Sequence, residues 1–153
     1  MIRFDLPRES ATATLAGRIA GVAVVGDIIA LKGNLGTGKT AFARAFIRAL
    51  GIQDEVPSPT FSLVQVYDAD PAAIWHFDLY RLHDQEEAWE LGIEDAFAIG
   101  ISLIEWPERL GSLLPTRRIE IGFEFGDRPD ERRVYLDPSV QWQARLAAIA
   151  ANA

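Results

Sequence analysis

Residues 33–40 read Gly33-Asn34-Leu35-Gly36-Thr37-Gly38-Lys39-Thr40. The pattern is G-x-x-x-x-G-K-[ST], that of a phosphate-binding loop, or P-loop. Each part has a physical task. Successive backbone N–H groups must turn toward phosphate oxygens, so glycine is needed where a side chain would intrude or φ must be positive. A helix beginning at about Lys39 aims its positive end at the anion. Lys39 places an ammonium on the β and γ phosphates, and Thr40 offers a hydroxyl to Mg²⁺. In a chain with this content of Gly, Lys, Ser and Thr, the pattern arises by accident about once in a thousand sequences. Lys39 is expected to be exposed when the loop is empty.

A second pattern overlaps the first. Residues 36–41 also fit G-x-G-x-x-A, the dinucleotide fingerprint, which requires an acid some 20 residues on at the end of a second strand. Asp54 and Glu55 stand near that distance, but the sequence before them ends a helix. The upstream Gly33 and the Gly-Lys-Thr ending favour the mononucleotide loop. Such a loop needs a further acid for its metal, commonly at the end of an apolar strand. Asp78 follows Ile74-Trp75-His76-Phe77, and Glu105 follows Ile101-Ser102-Leu103-Ile104. His76 reads as a packed or hydrogen-bonded strand residue rather than a catalytic base, and His83 as a surface loop residue. Trp89 and Trp142 read as core or rim packing.

The elements that must position these groups follow from periodicity. Residues 9–20 and 39–50 carry apolar residues at helical spacing, and Gly51 suits the end of the second helix. Residues 28–31 are a short apolar run, expected as a buried parallel strand. Residues 61–67 and 73–80 alternate as two paired strands. Asp84 with Glu87 forms a capping-box pattern for a helix to about Leu91. Gly92 interrupts, residues 93–97 add another helical turn or two, and residues 101–105 are a second apolar run. Residues 118–125 and 132–136 alternate like a hairpin, and residues 140–151 read as a helix. Strands alternating with helices argue an α/β fold: a P-loop NTPase-like three-layer sandwich with a mixed, mostly parallel central sheet. Residues 1–153 are expected to form one such domain, with the hairpin and helix from about residue 118 at its end.

Composition narrows the function classes. Apolar residues are 49% and charged residues 24% of 153 residues, ordinary for a globular protein. There is no cysteine, so disulfides, thiolate metal sites and cysteine nucleophiles are excluded. Residues 1–7 lack the apolar core of a secretory signal, and no apolar run approaches a membrane span of roughly 18–20 residues. A cytoplasmic location without membrane attachment is therefore expected. The net charge is −7. The basic clusters, Arg117-Arg118 and Arg128 with Arg132-Arg133, stand beside acids, so strong direct binding to nucleic acid is not expected. Either Arg132 or Arg133 could reach a nucleotide, but the default for a hairpin arginine is exposure.

Four blocks give the chain a family resemblance: GNLGTGKT at 33–40, SPTFSLV at 58–64, HFDLYRL at 76–82 with LGIEDAF at 91–97, and LIEWPERL at 103–110. With LPRESAT at 6–12 they resemble the bacterial TsaE (YjeE) family over about residues 4–125. The resemblance implies a small ATPase needed for threonylcarbamoyl modification of adenosine-37 in tRNA, with ATP and Mg²⁺ as cofactors and the TsaD and TsaB proteins as partners. It implies that Lys39 holds the phosphates and that Thr40 and Glu105 bind Mg²⁺. Asp78 stands at the family's essential aspartate position, close to the metal or the attacking water. The resemblance places Thr60 in a switch-like loop that senses the γ-phosphate. It places Glu9 and Thr12 near the adenine, and Trp106 near the nucleotide. Asn34 stands where aspartate is common in the family, and Trp75 where tyrosine is usual. Two other functions compete. A small-molecule kinase would need an arginine-bearing lid, for which residues 107–118 with Arg109, Arg117 and Arg118 are the candidate. A non-enzymatic nucleotide-binding module would need no pair of acids.

Overall fold

The computed structural model describes residues 1–151. A seven-stranded sheet carries the elements. Its strands in chain order are β1 (Ile2–Leu6), β2 (Ile28–Gly33), β3 (Val64–Tyr67), β4 (Ile74–Asp78), β5 (Ile101–Glu105), β6 (Ile119–Phe125) and β7 (Arg132–Pro138). Across the sheet their order is β1-β7-β6-β2-β5-β4-β3. The four central strands, β6, β2, β5 and β4, run parallel, while β3, β7 and β1 pair antiparallel at the two sides. β2 and β5 sit in the middle because every side chain from Ile28 to Leu31 and from Ile101 to Glu105 is buried, the condition that makes such runs continuously apolar.

Two apolar cores, one on each face, make the sandwich three-layered. On the first face α1 (Glu9–Ala20), α2 (Lys39–Ala49) and α5 (Val140–Ala151) cover the sheet. Leu15, Ile19, Phe42, Phe46 and Trp142 pack there against Ile29, Leu31, Ile101 and Leu103. On the second face α3 (Glu86–Glu90), α4 (Ile93–Ile99) and the 3-10 segment Pro107–Leu113 bring Ala88, Ile93, Ala96 and Leu110 onto Ile28, Phe77 and Ile104. The period-two alternation of a strand decides which face each side chain meets. Ile74, His76 and Asp78 share the first face, and so do Ile101, Leu103 and Glu105.

Most expected elements are present within a residue or two. The capping box forms as expected: Asp84 Oδ1 accepts from the Glu87 amide at 3.1 Å, and Glu87 Oε1 accepts from the Asp84 amide at 3.2 Å. Two differences matter. Strand β1, not anticipated, pairs with β7 at the sheet edge. The strand expected over 61–67 begins only at Val64. Leu63 takes a left-handed conformation with φ 67° and its amide donates to the Pro59 carbonyl at 2.7 Å, so residues 59–63 turn back over the end of β4.

Candidate functional site

The P-loop fills the gap between the end of β2 and the start of α2. Its geometry explains the glycines. Gly33 has φ 144°, and a Cβ there would lie 2.7 Å from the Phe123 carbonyl oxygen and 2.8 Å from Thr37 Oγ1. Gly38, at φ 110°, is the residue before α2. The loop is braced from inside: Thr37 is buried, and its hydroxyl donates to the Asn34 carbonyl at 2.7 Å. Asn34, Leu35 and Gly36 are exposed. Among the described residues no group accepts a hydrogen bond from the amides of Leu35, Gly36 or Gly38. These amides and the first turn of α2 form a concavity for an anion.

Lys39 is not exposed as expected; 5% of its surface is accessible. The ammonium folds back to donate to the Gly33 carbonyl, with the Asn34 carbonyl at 3.4 Å, and lies 3.8 Å from the centre of the Trp106 ring. Carbonyl dipoles and the face of an indole both attract a cation, which accounts for the inward position of the ammonium. Burial pushes its pKa down, and the charges of Glu105, Glu108 and Asp78 offset this only in part. Trp106 is itself in a left-handed conformation, φ 60°, unusual for a bulky residue and a mark of local strain.

The two strand-end acids stand side by side, because Asp78 and Glu105 are partners in the β4–β5 register. Both are buried. Glu105 Oε1 accepts from the Thr40 hydroxyl at 2.8 Å, and Oε2 contacts His76 Nε2 at 2.7 Å. A hydroxyl that donates its one proton keeps its lone pairs, so Thr40 retains lone pairs that a cation could use. Asp78 Oδ2 accepts from the Thr60 hydroxyl at 3.1 Å, and Oδ1 from the Tyr80 amide at 3.1 Å. Ser58 Oγ is 2.8 Å from Thr60 Oγ1. Hydroxyl and carboxylate oxygens are hard donors of the kind Mg²⁺ selects, and a metal held by few protein groups plus substrate phosphates is its usual mode. The residues present therefore fit Mg²⁺ with a nucleotide phosphate.

Two clefts meet on the loop. One, of about 280 Å³, is lined by Lys39, Thr40, Thr60, Asp78, Glu105 and Trp106 together with loop residues. The other, of about 520 Å³, is lined by Arg8, Glu9, Ser10, Thr12, Asp130 and Arg132, and shares Gly36, Gly38 and Ala41 with the first. The structure thus brings the sequence-derived residues together around Lys39 and puts Glu9 and Thr12 on the far side of the loop. Arg132 belongs here too. Its guanidinium donates to the Thr37 carbonyl at 3.1 Å and reaches the Gly36 carbonyl at 3.4 Å, above the Phe125 ring. Arg133 turns away to Asp127 at 2.9 Å. The parity of β7 holds the signal that separates them, since Arg132 shares a face with the buried Val134 and Leu136.

Other residues take structural places. Asp54 and Glu55 lie in the loop after α2 and end no strand, which removes the dinucleotide alternative. Arg117 donates to the Phe97 carbonyl at 2.7 Å and Arg118 pairs with Glu120 at 2.7 Å. Both precede β6, whereas the P-loop follows β2, its parallel neighbour, so they lie at the opposite end of the sheet. Of the candidate lid arginines, only Arg109 lies near the site, 5.9 Å from the Tyr80 ring. His83 is exposed, and Trp142 is in the core.

A phosphate cradle at the carboxyl ends of parallel strands, closed by acids from the next two strands, is where open α/β sheets bind ligands. Fold and loop together place the chain in the P-loop NTPase-like class of α/β proteins. Comparison with known proteins narrows this. Residues 6–134 match the model of a family described as threonylcarbamoyl adenosine biosynthesis protein TsaE. The tRNA threonylcarbamoyladenosine biosynthesis protein TsaE of Rickettsia bellii is 40% identical over 130 residues, which are 84% of this chain and 89% of that protein. The protein of the same name from Bacillus subtilis is 37% identical over 125 residues, covering 80% of this chain and 77% of the relative. The crystal structure of Bacillus subtilis YdiB superposes with a TM-score of 0.82 at 27% identity, covering 99% of this chain and 95% of that one. The chain belongs to the TsaE family. Among the described residues no helix is long and apolar enough to cross a membrane.

Proposed function

We propose that the chain binds Mg²⁺ and ATP and hydrolyses ATP as an accessory protein in threonylcarbamoyl modification of adenosine-37 in tRNA, acting on the TsaD–TsaB complex. One observation carries the reading: Lys39, Thr40, Asp78 and Glu105 line a single cleft at the P-loop in a chain of the TsaE family. Lys39 would exchange the Gly33 carbonyl and the Trp106 face for phosphate oxygens, a stronger charge-assisted contact. Thr40 and Glu105 would hold the metal side of the nucleotide. Bound there, Mg²⁺ would neutralise charge on the β and γ phosphates.

Hydrolysis adds water to the γ-phosphorus and breaks its bond to the β–γ bridging oxygen, giving ADP and phosphate. Asp78 would orient that water. Its two oxygens are held by Thr60 and the Tyr80 amide, so the carboxylate plane is fixed and a lone pair remains. Thr60 links Asp78 to the 58–63 turn, which gives the cleft a segment able to respond to the γ-phosphate. Phe61, 83% exposed beneath the Arg81 guanidinium, and the half-exposed Tyr80, whose ring lies tilted against Trp106 with centroids 4.9 Å apart, surround the same mouth. A partner docked on them would fix these loops.

The kinase alternative loses support because Arg117 and Arg118 are remote from the loop. The reading is tested in cells. In a strain lacking this chain, tRNA should lack the modified adenosine-37. The wild-type gene should restore it, and genes carrying Lys39→Met or Asp78→Asn should not. Full restoration by Lys39→Met would reject nucleotide binding as the basis of the function.

A further inference from the structure

His76 lies in the middle of β4 with none of its surface accessible. The imidazole leaves Nδ1 buried with no hydrogen-bond partner among the described residues. Its one hydrogen bond is to Glu105. A carboxylate offers only lone pairs, so Nε2 carries the proton and donates. Asp78 is held by other groups, Thr60 and the Tyr80 amide. The imidazole therefore acts on Glu105 alone.

We propose that His76 is a positioning residue for the metal side of the site, fixing the carboxylate of Glu105 and, through it, the hydroxyl of Thr40. The terminal torsion of a glutamate is broad, and two hydrogen bonds, one on each oxygen, define its plane here. Without the bond to Oε2 the carboxylate is free to rotate, and the 2.8 Å bond from Thr40 loses its fixed acceptor. The direction of the Thr40 lone pairs is then no longer set. Buried partners that orient metal-binding groups are typically worth about 10–100-fold in metal affinity. The inference rests on the Mg²⁺–ATP reading above.

The test is calorimetric titration of ATP into the purified protein over a series of Mg²⁺ concentrations, beginning with EDTA. The proteins are wild type, His76→Phe, His76→Gln and His76→Asn. A glutamine amide reaches the place of Nε2, and the shorter asparagine does not. The Mg²⁺ concentration that half-tightens ATP binding should rise about 10–100-fold in the Phe and Asn variants and stay within about threefold in the Gln variant. ATP affinity in EDTA should be the same within about twofold throughout, which a merely structural role for His76 would not leave intact. If His76→Phe does not fold, the contrast between Gln and Asn still decides, since both bury an amide. Wild-type Mg²⁺ midpoints in Phe and Asn, or equal impairment of Gln and Asn, would overturn the role of His76 while leaving the nucleotide reading standing. A wild-type protein that binds no ATP, or binds it without response to Mg²⁺, would overturn the nucleotide reading and this inference with it.

Discussion

Replacing Lys39 by methionine should stabilise the nucleotide-free protein while removing most of its affinity for ATP. The two effects come from one side chain in two environments. In the free protein the ammonium is buried, and its carbonyl and indole contacts do not fully replace water, as the lowered pKa records. Methionine keeps the length of the stem and removes the charge. Single stabilising substitutions commonly contribute about 0.5–2 kcal/mol, which is roughly 1–8 °C in Tm for a chain of this size. With nucleotide present the sign reverses. A charged contact to phosphate contributes about 1.5–3 kcal/mol, so the ATP Kd should rise about 10- to 150-fold. The pH dependence follows from the same burial. The folded protein binds the Lys39 proton less tightly than the unfolded chain does. Over the pH range between the folded value and the ordinary lysine value, the unfolded chain therefore carries more protons, and wild-type stability rises with pH. Below that range the whole cost is present. The advantage of Lys39→Met should be constant near neutrality and shrink as the pH climbs toward the ordinary lysine value. Thermal melts of both proteins across pH, with and without ATP, make the measurement. A Lys39→Met protein less stable than wild type without nucleotide would refute the reasoning.

Three further outcomes are expected. Asp78→Asn should lower kcat by about 100-fold or more while changing the ATP Kd by less than about threefold, because its loss affects water orientation; steady-state kinetics beside calorimetry checks it. Arg132→Met should weaken ATP binding about tenfold by freeing the Gly36 and Thr37 carbonyls, whereas Arg133→Met should leave it within about twofold; the same titration separates them. Arg145→Met should lower stability by roughly 3 kcal/mol, since Arg145 makes two bonds to the buried Asp27, at 2.7 and 3.0 Å. Because Asp27 precedes β2, at the end of the sheet away from the P-loop, ATP affinity should not change; denaturant unfolding and calorimetry test the pair.

Elements buried on both sides were legible from the amino-acid order alone. The apolar runs of β2 and β5 and the glycines between β2 and α2 have one local solution each, and the acids ending β4 and β5 mark the cleft. What was hidden depends on pairing between distant segments. Strand β1 shows only the alternation of Ile2, Phe4 and Leu6, and its place is set by its register with β7. The 61–67 alternation looked like strand throughout, yet Leu63 turns left-handed because the Pro59 carbonyl captures its amide. The inward fold of Lys39 needs Trp106, 67 residues later, to bring its ring over the loop. His76 carried a usable sign: it stands two residues before Asp78, and so on the same face of the same strand.

Phosphate release from Mg²⁺–ATP, followed for the purified chain alone and with increasing TsaD–TsaB complex, tests the central claim most directly. The chain alone should turn over slowly, because the exposed Phe61 and half-exposed Tyr80 leave the Thr60 turn and the loop after Asp78 uncovered on their outer side. The complex should accelerate turnover at least about tenfold, as expected when misplaced groups are brought within an ångström of their working positions. Thr60→Ala should lose most of that acceleration with ATP affinity within a few-fold of wild type. Rapid hydrolysis by the chain alone, unchanged by the complex, would contradict the account.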